Sequence, residues 1–185
     1  MTWTLEQLLP RYDHHEVHRR QIAGGSDEVW DALLGTRIAD LPLTCLLARL
    51  RGGPAAWLRP APAARQEMRA IDAMAPRPLV SDRPHELILA DIARYTALRP
   101  ARPPLTGDAW TPEAFAAFGE PGWSKVAMNF RLRPVGEGTE LVTETRVLST
   151  DPATRRAFTL YWIPVRLGSG LVRQDVLHAV AKAVG

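Results

Sequence analysis

The fold is decided by residues 124–149, SKVAMNFRLRPVGEGTELVTETRVLS, in which two alternating segments flank a glycine-rich turn. From Ser124 to Leu132 the even positions are mostly apolar and the odd positions mostly polar, which is typical of a half-buried antiparallel strand. Gly136-Glu137-Gly138 predicts a hairpin turn. A similar alternation from Glu140 to Ser149 predicts the return strand, so the segment indicates a β-hairpin with a buried face.

The hairpin register decides which face of the return strand is buried. A tight turn near Gly138 would place Thr143 opposite Leu132 and Thr145 opposite Phe130. We therefore expect both threonines inside, although a slip of one residue would exchange the two faces.

A long amphipathic helix follows the hairpin. Asp151-Pro152 supplies an N-cap and a proline at the first helical position. Pro164 removes a backbone donor and predicts a kink, and Gly168 and Gly170 weaken the helix just beyond it. Because the apolar stripe resumes after them, we expect one bent helix over residues 152–184. The stripe consists of Phe158, Trp162, Val165, Ser169, Val172, Val176 and Val180.

The N-terminal half predicts a strand, two short helices and more strands. His14 to Ala23 is expected to be the first strand. Ser26 is predicted to cap a helix that ends at Gly35, and a second helix runs from Leu43 to about Leu50. Further strands are expected at residues 79–82 and 86–95. Runs of strands followed by a helix favour an α+β domain over a parallel α/β one.

The composition fits one globular domain over residues 1–185, with an N-terminal arm (1–13) ahead of the core (14–184). The 46% hydrophobic and 23% charged residues are ordinary. A chain of this length buries a sizeable core without disulfides or metals. The single cysteine, Cys45, excludes an intramolecular disulfide.

Charge and hydropathy restrict the partners and the compartment. The net charge is only +3 and the arginines are spread along the chain, so we expect no nucleic-acid partner. No segment is apolar for long enough to span a membrane, and the first residues lack the features of a secretory signal. A cytoplasmic location is expected, and the oligomeric state is left open.

Three segments together resemble the START-like or SRPBCC superfamily, in a bacterial branch of it. They are Glu28–Leu33 (EVWDAL), Gly138–Val147 (GTELVTETRV) and Asp151–Leu171, which carries Tyr161-Trp162 and a Gly-Ser-Gly sequence. The superfamily includes polyketide cyclases, lipid-transfer proteins and pollen-allergen-like ligand binders. The chain departs from it at Gly24-Gly25, where the family usually has an Ala-Pro-like pair.

The resemblance implies a helix-grip fold, in which a curved antiparallel sheet wraps a long C-terminal helix and two short helices follow the first strand. It also implies a cavity between sheet and helix. A mostly apolar lining with a few hydroxyls is usual for a small-molecule pocket, but the same side chains could simply be packed core. The expected ligand-binding residues are Met128, Phe130, Leu132, Thr143, Thr145, Trp162, Ser169 and Val172.

Three functions are compatible with this fold, because the fold alone does not determine activity. The first is binding of an apolar or amphipathic small molecule, lipid-like or polyketide-like, without catalysis. The second is a polyketide cyclase/aromatase-like or hydratase-like enzyme, in which one or two acids move protons. The third is a module that regulates a partner protein and shows an exposed apolar patch with a collapsed cavity.

Asp91 is the one candidate for a catalytic acid, alone or paired with Glu144. It alternates with Leu87 and Leu89, which is unusual for a solvent-facing strand residue. A salt bridge between Asp91 and an arginine is the competing interpretation. Glu144 and Arg146 are expected to form an outer-face polar pair that contributes little to stability.

No metal and no cofactor are expected. His14, Glu16 and His18 share one strand face, and two histidines with a carboxylate can bind a metal. A solvated strand face is the preferred interpretation, because same-face side chains of one strand rarely converge. The chain lacks dinucleotide and P-loop motifs, and its Gly-Ser-Gly lies inside a predicted helix rather than at a nucleophile elbow.

Overall fold

The computed structural model describes residues 2–51, 62–74, 77–96 and 104–185, with Arg51 described by its backbone alone. The chain forms two compact units. The first contains residues 1–17, 75–131 and 142–166, and the second contains residues 18–74, 132–141 and 167–185.

Five strands form an antiparallel sheet in the order β1-β5-β4-β3-β2. The strands are β1 (His14–Ile22), β2 (Arg77–Asp82), β3 (Glu86–Ala93), β4 (Ser124–Val135) and β5 (Gly138–Ser149). The predicted hairpin is the β4–β5 pair. β3 pairs with β4 so that Leu87 lies opposite Phe130 and Asp91 lies opposite Val126.

Helices occupy most of the remaining described chain. They are α1 (Leu5–Leu8), α2 (Ser26–Gly35), α3 (Pro42–Arg51), α4 (Ala63–Gln66), α5 (Ala70–Ala73), α6 (Pro112–Ala117) and α7 (Pro152–Val184), with short 3₁₀ turns at Ile38–Asp40 and Gly107–Ala109. The α+β class, with a sheet followed by a long C-terminal helix, is therefore confirmed. None of the helices in the described ranges is long and apolar enough to cross a membrane.

The two predicted helix starts have different outcomes. Asp151 caps α7 as predicted, because its Oδ1 accepts hydrogen bonds from the backbone N–H groups of Ala153 and Thr154, each at 2.9 Å. Ser26 does not cap α2. The N-cap there is Gly25, which makes no side-chain bond, and the Ser26 hydroxyl instead lies 3.3 Å from that of Thr139.

In the first unit, one face of the sheet is covered by the N-terminal segment and α6. The expected arm supplies buried core residues to this layer, and α1 contacts α6. We call this side of the sheet the covered face. Its buried apolar cluster comprises Leu5, Leu8, Leu9, Ile88, Ala90, Ile92, Phe115, Trp123 and Ala127.

Polar side chains on the covered face are fully engaged with one another. Asn129 donates to Glu86 and accepts from the backbone N–H of Glu144 at 2.9 Å. Arg131 bonds both Glu86 (3.2 Å) and Glu6 of α1 (2.8 Å). These ion pairs tie the N-terminal helix to the middle of the sheet.

The expectation of a solvent-exposed Glu144–Arg146 pair is wrong. Arg146 is 8% exposed, because the N-terminal segment lies over it. Its guanidinium donates to Glu144 Oε1 at 2.6 Å and to the backbone oxygen of Leu9 at 3.1 Å, and it lies over the Tyr12 ring at 5.1 Å. A buried cation with this many partners is part of the core.

The second unit joins α2, α3 and the C-terminal half of α7. Asp175 of α7 accepts from the backbone N–H of Thr44 at 2.7 Å and from its hydroxyl at 2.9 Å, so it satisfies a free donor in the first turn of α3. A side chain at Gly24 would overlap Val184. A side chain at that turn would have to displace the Val184 side chain.

Candidate functional site

The N-terminal half of α7 brings a cluster of aromatic rings to the first unit. Phe158, Tyr161 and Trp162 lie at i, i+3 and i+4 and therefore share one side of the helix. His14 of β1 stacks on Trp162 with ring centres 5.5 Å apart, and Tyr95 meets Phe158 edge-on at 5.6 Å. Phe158 is 2% exposed, whereas Trp162 is only half-buried.

His14 is therefore not part of a solvated strand face. Its ring contacts both Trp162 and Phe158, which also contact each other, and its Nε2 is 3.3 Å from the Thr159 hydroxyl. Burial lowers the pKa of His14, as does nearby Arg155, against the opposing effect of Asp13. No group of three potential metal ligands occurs within the described ranges.

Among the described residues, Asp91 bonds to a tyrosine and to no arginine. The Tyr95 hydroxyl donates to Asp91 Oδ2 at 2.7 Å, which corrects the predicted salt bridge. Burial raises the pKa of Tyr95 well above its ordinary value, and the Asp91 charge raises it further. Tyr95 consequently remains a protonated donor, and it links Asp91 of the sheet to Phe158 of α7.

Two cross-strand contacts define the register of the hairpin in the first unit. The Ser124 and Ser149 hydroxyls are 3.4 Å apart, and Asn129 Oδ1 accepts from the Glu144 N–H. Both contacts shift the return strand by two residues from the register expected of the tight turn. An even shift preserves the faces, since side chains alternate with a period of two.

In this register Thr143 lies beside Phe130, and Thr145 lies beside Met128. All four side chains are buried, and the two threonines are 0% and 1% exposed. Neither threonine hydroxyl has a hydrogen-bond partner among the described residues. A buried apolar surface with two unbonded hydroxyls thus lies at the centre of the sheet.

This surface and Asp91 lie on the same side of the sheet. Leu89 pairs with Met128, and Leu87 pairs with Phe130. Asp91 continues the alternation set by those leucines. We call this side the open face only to distinguish it from the covered face, which carries Ile88, Ala90 and Ala127; its central side chains are themselves buried.

The eight predicted ligand-binding residues are divided between the two units. Met128, Phe130, Thr143, Thr145 and Trp162 belong to the first unit. The second unit contains Leu132, which is buried, and Ser169 and Val172, which are half-buried. The sequence reasoning missed His14 and Tyr95 because both reach the aromatic cluster from elements distant in sequence. The i, i+3, i+4 spacing of rings on α7 is the signal that could have indicated the cluster.

A separate polar cleft of about 350 Å³ lies in the second unit. β1 lines it with His18, Arg19 and Arg20, and α7 lines it with Gln174, Asp175 and His178; two leucines complete the lining. Arg19 and Arg20 are consecutive in β1, so their side chains point to opposite faces of the strand, and the Asp175 carboxylate in the lining is already bonded to Thr44.

Comparison with known proteins supplies no family for the chain. No family model matches it, and no curated protein matches it. A crystal structure of CalU16 from Micromonospora echinospora aligns at 13% sequence identity with a TM-score of 0.33, over 91% of this chain and 82% of that chain. A similarity at that TM-score carries no argument about fold or function.

Proposed function

We propose that the first unit is a START-like, helix-grip binding site for an amphipathic small molecule with a lipid-like or polyketide-like skeleton. One observation carries the proposal: two buried hydroxyls, those of Thr143 and Thr145, have no hydrogen-bond partner in the described chain. The ligand would rest its apolar body on Met128 and Phe130 and bond its polar group to these hydroxyls.

The energetics of buried hydroxyls support a ligand with a polar group. A buried donor or acceptor left unsatisfied costs about 1–3 kcal/mol, and nearly all such groups in native proteins find a partner. Thr143 and Thr145 are two residues apart on one strand face, so a single carbonyl, carboxylate or hydroxyl can reach both. A purely hydrocarbon ligand would leave them unbonded, so the proposal specifies an amphipathic ligand.

The aromatic cluster supports the same site from the helix side. Trp162 is half-buried, so part of its indole surface is available to a bound molecule. Its stacking partner His14 also contacts the Phe158 ring. Rigid ring systems in such a cluster lose little freedom when a ligand packs against them, which favours binding.

Proton-transfer catalysis of the cyclase or hydratase type is the second candidate. The Asp91–Tyr95 hydrogen bond favours it, because a carboxylate and a phenol in contact on the open face could exchange protons with a bound carbonyl compound. Asp91→Asn separates the two functions. A binding protein would keep the same bound molecule unchanged, whereas an enzyme would accumulate unreacted substrate.

The proposal is tested by native mass spectrometry of the purified protein, followed by solvent extraction of bound molecules. We expect a stoichiometric amphipathic compound in the wild type and at least a tenfold loss of it in the Thr143→Val/Thr145→Val double variant. Thr139→Val is the matched control, since Thr139 is equally buried and lies in the second unit. An unliganded wild type, or equal retention in both variants, would refute the proposal.

A further inference from the structure

The open face of the first unit is buried at one end and partly exposed at the other. The two threonines that we propose as ligand contacts are at most 1% exposed, whereas Asp91 and its strand partner Val126 are half-buried. Leu89 and Met128, which lie between these two ends, are still buried. A ligand bonded to the threonines would therefore extend along the sheet toward Asp91.

Strand geometry gives the distance between the two ends. Thr145 lies beside Met128, which pairs with Leu89, and Asp91 is the next residue of β3 on the same face. Neighbouring strands are about 4.8 Å apart and each residue rises about 3.3 Å, so the α-carbons of Thr145 and Asp91 are about 12 Å apart. A molecule of two linked rings with a substituent at each end spans most of that distance.

The Asp91 carboxylate has hydrogen-bonding capacity that the described residues leave unsatisfied. Its Oδ2 accepts a hydrogen bond from the Tyr95 hydroxyl at 2.7 Å. Among the residues that the structure describes, its Oδ1 accepts no hydrogen bond and its charge has no ion pair. An ionised carboxylate only accepts hydrogen bonds, at up to about four lone pairs. The group that a ligand presents to Asp91 must therefore be a donor, such as a hydroxyl or an amine.

Aromatic rings of α7 fix the tyrosine that bonds Asp91. Tyr95 stacks on Tyr161 with ring centres 6.2 Å apart, and it meets Phe158 edge-on at 5.6 Å. Tyr161 and Trp162 are half-buried, so part of their ring surface can contact a bound molecule. Flat rings pack on such surfaces in stacked or edge-on arrangements, which favours a rigid ligand body over a flexible chain.

We propose that Asp91 is the second polar contact of the ligand, and that it selects a rigid compound with a hydroxyl or amino donor at the end opposite the group bonded by the threonines. This assignment narrows the ligand class of the site proposed above and rests on that site. A fatty acid fits less well, because either its hydrocarbon tail or its carboxylate would meet the Asp91 charge. Asp91 thus determines specificity through binding, without a chemical step.

Calorimetric titration with two biphenyl phenols tests the assignment. 4,4′-Dihydroxybiphenyl carries a hydroxyl at each end, whereas 4-hydroxybiphenyl carries only one. We expect wild-type protein to bind the first compound about tenfold more tightly, because hydrogen bonds to charged groups are strong, and Asp91→Val to bind both compounds equally. The titration measures dissociation constants at equilibrium, so the loss of preference reports binding rather than proton transfer.

Further variants separate a lost contact from a damaged fold. Asp91→Val/Tyr95→Phe removes both members of the hydrogen bond, leaves no unbonded phenol, and should also bind the two compounds equally. Asp91→Asn retains an acceptor oxygen and should keep part of the preference. Asp108→Val is the matched control, since Asp108 is an exposed acid of the same unit, and it should keep the full preference. Circular dichroism verifies that each variant is folded.

Two results of the titration would overturn the assignment. They are equal affinity of the wild type for both biphenyls, and a preference that survives unchanged in both variants that lack the Asp91 carboxylate and its amide equivalent.

The compound extracted from purified protein gives a second readout. It should take up at least one acetyl group from acetic anhydride, which acylates hydroxyl and amino groups, and its amount should fall at least tenfold in Asp91→Val. A co-purified compound that takes up no acetyl group would overturn the assignment and leave the ligand site in place. Wild-type protein that holds no compound and binds neither biphenyl would overturn both the assignment and the proposed function.

Discussion

The two faces of the sheet in the first unit differ in whether their buried polar groups have hydrogen-bond partners. On the covered face, Asn129 and Arg146 are buried with their hydrogen bonds made by Glu86, Glu144 and backbone groups. On the open face, the Thr143 and Thr145 hydroxyls are equally buried and have no hydrogen-bond partner in the part of the chain that the structure describes. The difference separates polar residues that hold the fold together from the polar residues that we propose as ligand contacts.

The largest loss of stability should come from a substitution that removes the hydrogen bonds of Arg146 on the covered face. Arg146→Met removes the guanidinium that bonds Glu144 and the Leu9 carbonyl, and it leaves the Glu144 carboxylate with His15 at 2.9 Å as its remaining side-chain partner. We expect a loss of about 3–5 kcal/mol in the free energy of unfolding, measured by urea denaturation. Arg133→Met is the control, since that arginine is exposed and should change stability by less than about 0.5 kcal/mol. A loss as small as the control's would mean that the network does not stabilise the sheet.

A substitution in the aromatic cluster of the open face should lower the stability less than Arg146→Met does, and it should lower the amount of bound ligand more. Trp162→Ala removes a half-buried ring, so we expect a stability loss of about 2 kcal/mol, below the range for a fully buried tryptophan. The co-purified ligand should fall at least tenfold by extraction and mass spectrometry. Trp162→Phe keeps the stacking on His14 and should retain most of the ligand. Full retention by the alanine variant would exclude the indole from the site.

Lys125 is a buried cation on the covered face, so it should make the stability of the protein depend on pH. Its ammonium donates to the backbone oxygens of Ala116 and Phe118, at 2.8 and 3.3 Å, and burial lowers its pKa from 10.5 to about 8. Between those values the unfolded chain binds more protons than the folded one, so stability should rise with pH across that window. Lys125→Met should flatten this rise, as measured by urea midpoints at pH 8 and 10. An unchanged slope would contradict the assignment.

Substitution of His14 should change the stability least among these variants. Burial holds its pKa below the ordinary value of 6.5, so the unfolded chain takes up a proton first as the pH falls. Stability contributed by neutral His14 should therefore be lost as the pH falls below about 6.5. His14→Phe should keep the ring contacts and reduce the difference in stability between pH 7 and pH 5. A steeper loss in the variant would show that His14 is stabilising as a cation.

Local pattern predicted most of the fold and only part of the site. The hairpin and the start of α7 follow from alternation and from Asp151-Pro152, which are interactions between near neighbours in sequence. The register shifted by two residues because the turn geometry, rather than the strand pattern, determines it. The Arg146 network was missed because its partners in the N-terminal segment are more than a hundred residues away. Tyr95 was missed because its ring partner Phe158 lies on another element, α7.

The most direct test of the account is the free energy of unfolding of Thr143→Val/Thr145→Val, measured by urea denaturation on protein refolded after removal of bound molecules. Because both hydroxyls are buried and unbonded, the double variant should be more stable than the wild type by about 1–3 kcal/mol. Thr139→Val should be less stable, since the Thr139 hydroxyl donates to the Gly24 carbonyl at 2.8 Å. If the double variant loses as much stability as Thr139→Val, its hydroxyls are bonded within the fold and the open face is not a ligand site.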